Sequence, residues 1–426
     1  MEMEVSRPLR LRCSIQNYDW GKLGEDSRVA RLFSRNSGVE IDPERPYAEF
    51  WMGTHESGPS FLVRGESGGP DSEPLTLRKW ILENPDVLGE KVVERWGSEL
   101  PFLFKVLSVA KALSIQAHPD KELAGMLHKM RPSIYKDPNQ KPEMAIALTD
   151  FKALCGFVRI EELKDVLASV PEIVDLVGDE DASKVLNTKD QDGYVEVKPI
   201  LQSIFTKIMS ANKEAVSELV SKLKCRLNVE NKIRKLTEKE QLVLLLEQQY
   251  PADVGVISAF FFNYVKLSPG EALYIGANEP HAYISGDCIE CMATSDNVVR
   301  AGLTPKYRDV QTLCSMLTYK QGFPEILRGT TLNHYISRYT PPFDEFEVDR
   351  CSLSPEESLV LPAIPGPSIF VVVAGEGRMQ MGSAVDEEMV MEGHVYFVPA
   401  HSEIGLTAGA AGSLQLYRAG VNGRVL

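Results

Sequence analysis

Apolar residues in this chain follow two periods, and the period changes twice. FLFKVLSVAKALSIQAHP, residues 102–119, is strongly β-like, and alternation there puts Ser114, Gln116 and His118 on one face of a strand. KDPNQKPEMAIALTDF follows after a short helical stretch. If a strand begins near Lys141, then Lys141 and Glu143 share a face, and Pro142 restricts the place to a strand start or an edge. Ahead of both, NYDWGK and AEFWMGTH read as strand ends with glycine turns. His55, in the second of them, reads first as a structural histidine at a turn and second as a site residue. GESGGPDSEP, residues 65–74, is a surface loop by composition. LTLRKWILENPDVLGEKVVERW reads as short helices, with Pro85 opening the second part.

From 156 to about 250 the helical period takes over. Ile200, Leu201, Ile204, Phe205 and Ile208 fit it, as do Val216, Leu219, Val220 and Leu223, and KEQLVLLLEQQY reads as another helix. These stripes suit helix packing rather than a binding groove. GDEDASKVLNTKDQDGY reads as a polar, mobile loop. From Val254 the β pattern returns and continues to the end, with a weak internal repeat. Gly270 to Gly276 and Gly393 to Pro399 each run from a glycine through five residues to a turn former, as in jelly-roll barrels of the cupin type. Aligning the two glycines puts Ile404 where His281 stands, so the second barrel is expected to lack that ligand.

The chain is long enough for two or three domains at 426 residues, and 43% hydrophobic and 25% charged residues are ordinary for a globular protein. A net charge of −14 argues against a nucleic-acid binder, which needs a basic face. It leaves room for a local basic pocket that takes one small anion. MEMEVSRPLRLRCS lacks the apolar run of a signal peptide, and the run VISAFFF is too short to span a bilayer. A soluble, cytoplasmic protein is expected. Seven scattered cysteines fit reduced thiols. Cys288 and Cys291 form a CxxC, but with no second pair they read as core packing.

Chemistry concentrates in HAYISGDCIECMATSDNVVRAGLTPK, from His281 to Lys306, which joins His, Asp, Arg and Lys to a β-rich frame. Gln116, His118, Glu143 and His281 together offer an amide oxygen, two imidazoles and a carboxylate. Such a mixed set suits a divalent ion with an open position. Spacing alone does not bring Glu143 and His281 to the other two. Lys105, Lys141, Arg300 and Lys306 form a basic set that, with Ser114, suits a phosphate pocket.

These residues carry a resemblance. NYDWGK, AEFWMGTHESGP, SIQAHPDK and the stretch from His281 to Lys306 resemble type I mannose-6-phosphate isomerases, nearly end to end. The shorter signature of that family, YxDxNHKPE, reads Tyr135-Lys-Asp-Pro-Asn-Gln-Lys-Pro-Glu143 here, with Gln140 in place of the usual histidine. The resemblance implies one zinc ion per chain, bound by Gln116, His118, Glu143 and His281. It implies a mainly β fold with a helical insertion: a catalytic cupin domain from 1–155 and 251–325, a helical domain at 156–250, and a C-terminal cupin domain without metal at 326–426. The implied reaction interconverts mannose 6-phosphate and fructose 6-phosphate through a cis-enediol and supplies mannose for GDP-mannose.

Within that reaction Arg300 is the expected cationic donor to the developing oxyanion. Asp296, Glu290 and Lys141 are the candidates for the proton carrier. Ser114, Lys105 and Lys306 are expected at the phosphate, and Tyr283, Trp20 and Glu49 along the sugar pocket. Gln140 cannot titrate near neutral pH, so no proton-shuttling role at that place is required. A sugar phosphate is the expected partner of a monomer, with neither nucleic acid nor membrane. Two other readings stay open on the residues: an Fe(II) cupin oxygenase, disfavoured by the glutamine ligand and the basic cluster, and a non-catalytic sugar-phosphate sensor.

Overall fold

The computed structural model describes residues 7–63, 74–189, 193–383 and 387–426. The strand His281–Ala293, with 13 residues, is its hub. Its first part pairs with Phe151–Phe157 and touches Ile115–Ala117 at the Gln116–His281 pair. Its second part pairs with Phe102–Val109 on one side and Glu143–Ala147 on the other. The change of partner falls at Gly286. There φ is +115°, and a Cβ would lie 2.4 Å from the Asp150 carbonyl oxygen, so only glycine turns this corner without strain.

These strands belong to an eleven-stranded sheet whose outer face is covered by two different cores. Ile115, Ala117, Ala282 and Ile284 face a helical core, built from Leu201, Ile204, Phe205, Ile208, Val216, Leu219, Val220 and Leu223 among others. Phe104, Val106, Met144, Ile146, Ile289 and Cys291 face a second core that is shared with the C-terminal part. Alternation then leaves Glu49, Lys105, Gln116, Glu143, His281 and Glu290 on the remaining, inner face. Cys288 and Cys291, three apart on an extended strand, lie in different cores, so they cannot grip one ion.

The helices from Ile160 to Gln249 follow the strand Phe151–Phe157 and precede Phe262–Leu267. Thr237 opens one of them with a reciprocal capping box to Glu240. The polar segment expected as a loop forms the helix Asp179–Asn187 instead. Three acids in its first turn favour a helix start, and burying Ala182 and Val185 suffices to dock it. Lys207 completes the anchor, 2.7 Å from Asp181. Of the other expected loop, residues 65–73 lie outside the described residues.

The C-terminal strands form an eight-stranded and a four-stranded sheet. Phe370, Val372, Tyr396 and Leu416 pack between them, while Ile369, Val371, Phe397 and Ala419 alternate onto the core shared with the first sheet. Ile404 is buried at the start of a strand, as His281 is. Leu9–Arg12 and Phe61–Leu62, placed by the sequence in the first unit, hydrogen-bond into the C-terminal sheet, with Leu9 opposite Phe397 and Leu11 opposite Leu62. Among the described residues no helix is long and apolar enough to cross a membrane.

Candidate active site

His118, Glu143 and His281 come from three strand ends, and their ligand atoms lie within 4.8 Å of one another. All three are buried. The Nδ1 of His118 is 2.7 Å from the Asn297 carbonyl, and that of His281 is 3.1 Å from the Glu279 carbonyl. A carbonyl only accepts, so each Nδ1 carries the proton and each Nε2 keeps a lone pair. Both lone pairs point at one carboxylate oxygen of Glu143, at 3.4 and 3.3 Å. Neither Nε2 has a hydrogen-bond partner. Two orphaned lone pairs and a carboxylate converging on one buried point fit a divalent cation, and the carbonyls fix the ring orientations as outer partners do at metal sites. Burial pushes His118 down to about 4, so it stays neutral and able to ligate at pH 7. Glu143 stays ionised: burial opposes this, but the Lys141 ammonium at 3.0 Å offsets it. Gln116 sits directly across from His281 and accepts from the Ser114 hydroxyl at 3.2 Å.

Asn297, which sequence reasoning did not single out, supplies one of those carbonyls. It is buried, and its amide donates to the carbonyls of Asp137 at 2.7 Å and Asn139 at 3.0 Å. The acidic and amide residues of the Tyr135–Glu143 signature thus hold the loop that orients His118.

Above this group opens a cavity of about 740 Å³, lined at its base by Gln116, Lys141, Glu49, Lys105 and Asp296. Trp20 and Ser114 form part of its walls. Lys105 lies 3.0 Å from Glu290 and 3.3 Å from Glu49, under the Trp51 ring. Burial alone would pull its ammonium down, but the charges of Glu290, Glu49 and Glu143 raise it instead. Its charge is engaged by two buried carboxylates while it lines the cavity. Glu290 is raised by burial and by Glu143 and Glu49, against the pull of Lys105. It lies beneath the lining rather than in it. Tyr283 does too: its ring packs on Phe151 at 5.3 Å, behind the wall that it was expected to form.

Arg300 lies in the strand Val299–Gly302, opposite Gln116. It is half-buried in the cavity wall, and burial, with no carboxylate beside it among the described residues, pulls its guanidinium down from its usual value. Lys306 stands exposed at the rim. Its loop is anchored by Asp253, whose carboxylate accepts from the amides of Leu303 at 2.6 Å and Thr304 at 3.1 Å. Gly302 and Gly255 touch there; a Cβ on Gly302 would come within 2.6 Å of the Gly255 Cα. Asp296 is half-exposed and receives His55 Nε2 at 3.1 Å, which lowers its pKa. Gln140 points away from the cavity and donates to Glu345 at 2.8 Å.

The chain is similar to known proteins over nearly its whole length. Three family models match: phosphomannose isomerase type I catalytic domain over residues 9–160, helical insertion domain over 176–262, and C-terminal over 339–384. Mannose-6-phosphate isomerase 2 of Arabidopsis thaliana is 59% identical, over 97% of this chain and 94% of that one. The human mannose-6-phosphate isomerase is 41% identical, over 98% and 99%. Among solved structures, a point mutant of phosphomannose isomerase from Salmonella typhimurium superposes with a TM-score of 0.79 at 28% identity, covering 97% of this chain and 99% of that one. A mannose 6-phosphate isomerase bound with zinc and yttrium superposes at 0.78 and 29% identity, covering 97% and 99%. With relatives this similar over nearly their whole length, the chain belongs to the type I phosphomannose isomerase family.

Proposed function

We propose that the chain interconverts mannose 6-phosphate and fructose 6-phosphate, with one zinc ion held by Gln116, His118, Glu143 and His281. The observation that carries the metal is the pair of orphaned Nε2 atoms facing Glu143. Bound zinc would act as a Lewis acid that favours negative charge on the sugar oxygens. The strand pattern supports two jelly-roll barrels of the cupin type around the helical insertion. A cytoplasmic monomer feeding GDP-mannose synthesis completes the reading.

The chain's own residues divide the remaining work. The open-chain aldehyde must lose the C2 proton, with the C–H electron pair forming a C1–C2 double bond and O1 gaining charge; a proton must pass from the O2 hydroxyl to O1, and C1 must gain a proton as the C2–O2 double bond forms. Of the three candidate carriers, Glu290 lies under the lining beside Lys105, and Lys141 is paired with Glu143. Asp296 reaches the cavity as an ionised carboxylate, so it takes the proton from C2 and returns it to C1. Arg300 donates to the oxygen that becomes anionic. Lys306, with Ser114, receives the phosphate. Lys141 keeps Glu143 ionised.

A coupled assay with mannose 6-phosphate tests the activity, and metal analysis tests the zinc. Conversion at background rate by zinc-loaded protein would overturn the proposal. Lys306→Ala is expected to raise KM by ~10–100-fold, the scale of one charge-assisted hydrogen bond, with kcat within about twofold. Gln140→His is expected to change turnover less than about threefold, because that side chain faces Glu345 and not the cavity. Steady-state kinetics checks both.

A further inference from the structure

We propose that His55 is a positioning residue, which holds the Asp296 carboxylate toward the cavity where the sugar reacts. This rests on the reading of Asp296 as the proton carrier.

The geometry of His55 leaves little freedom. It sits in the turn after the strand Glu49–Met52 and is buried. The Ser57 amide donates to its Nδ1 at 3.2 Å. A ring nitrogen that accepts carries no proton, so the hydrogen of the neutral ring is on Nε2. That nitrogen faces Asp296 Oδ1 at 3.1 Å. The ring stands edge-on to Trp51, with centroids 5.0 Å apart, and Trp51 is tied to Glu49 by a 2.6 Å hydrogen bond. The turn therefore sets the tautomer, the tryptophan sets the ring plane, and the one remaining donor points at Asp296.

Asp296 needs such a restraint. Its backbone amide is fixed to Asp137 at 2.8 Å, but half of its side chain is open to solvent. Among the described residues its carboxylate has no hydrogen-bond donor besides His55. It also lies on a divide. His55, Ser295 and Asp296 line both the cavity described above and a second cleft of about 960 Å³. That second cleft is lined by Arg78, Arg95, Lys121 and Lys136 together with Glu56, Glu99, Asp137 and Glu345, so its charges are mixed and it offers the carboxylate room to turn away from the first cavity. A carboxylate that turns that way leaves the reacting carbons, and misplacement of a catalytic group by about 1 Å costs on the order of 10²-fold in rate.

The test uses zinc-loaded full-length protein and mannose 6-phosphate. His55→Leu is expected to lower kcat by ~10–100-fold, with KM within about twofold and zinc content unchanged. His55→Gln keeps an N–H donor and is expected to recover most of the loss. Equal impairment of the two variants, or wild-type kcat in His55→Leu, would overturn the proposal. Should His55→Leu fold poorly, the double variant decides. Adding His55→Asn, which keeps an acceptor for the Ser57 amide but removes the donor to Asp296, to Asp296→Asn is expected to cost nothing further, whereas multiplicative losses would show that His55 acts through something else. Asp296→Asn alone separates the two readings. If it retains full activity, the proton-carrier assignment fails. If it is inactive while His55→Leu is not, only the role of His55 fails.

Discussion

Replacing His281 by alanine is expected to remove zinc and isomerase activity together. The side chain contributes one of only two imidazole lone pairs that face Glu143, and it does so from the start of the hub strand, where the Glu279 carbonyl fixes its tautomer. Alanine leaves His118 and Glu143 with no second nitrogen donor. It also takes away the charge stabilisation that the anionic intermediate needs, and an activity loss of at least ~10³-fold follows from losing a preorganised electrostatic partner together with the ion. Circular dichroism should stay native, since the strand is held by pairing to Cys155 and Gln116 on its two sides. Metal analysis beside the coupled assay checks the result. Retained zinc with full activity would sink the ligand assignment.

Arg300→Ala separates the metal from the oxyanion chemistry. Its guanidinium takes no part in the buried His118–Glu143–His281 group, so zinc content should hold at the wild-type level. A drop in kcat of ~10²–10³-fold is expected, the scale of losing one oxyanion donor. Arginine here is desolvated with no carboxylate among the described residues beside it to absorb its charge, and that is the environment in which a fixed cation stabilises a developing anion most. Arg300→Lys should recover only part of the rate, because an ammonium lacks the planar fork. A variant that loses zinc along with activity would show that Arg300 supports the metal site rather than the reaction.

Much of the inner face could be read from alternation. Gln116 with His118 and Lys141 with Glu143 follow from period two, and the structure keeps each pair on the site side. What alternation cannot supply is the meeting of distant strands. Glu143 lies opposite both Ile275 and Met292, and His281 opposite Gln116, through pairings that close loops of over a hundred residues. Lys105 shows the same limit from the other direction. Its partners, Glu49 and Glu290, are remote in the chain, so spacing does not show the ion pairs. The helix at Asp179–Asn187 was hidden by its own polarity, for only a narrow stripe of it is buried. His55 was read as a turn histidine, and it does fill that role through Ser57. Its second nitrogen meets Asp296 only after both strands are in place.

The N-terminal strand has a consequence for how this molecule is made. Leu9 pairs with Phe397, so one edge of the strand Leu9–Arg12 waits for a strand near the end of the chain before its backbone is satisfied. At ~5–20 residues per second the ribosome takes roughly 20–80 s to cover that distance. During that interval Leu11 and Arg12 can pair with Leu62 and Phe61, but the edge that will meet Val395–Phe397 has no partner and stays open to other chains. That edge of residues 9–11 is thus a long-lived exposure during synthesis, and a segment where chaperone engagement would be sought.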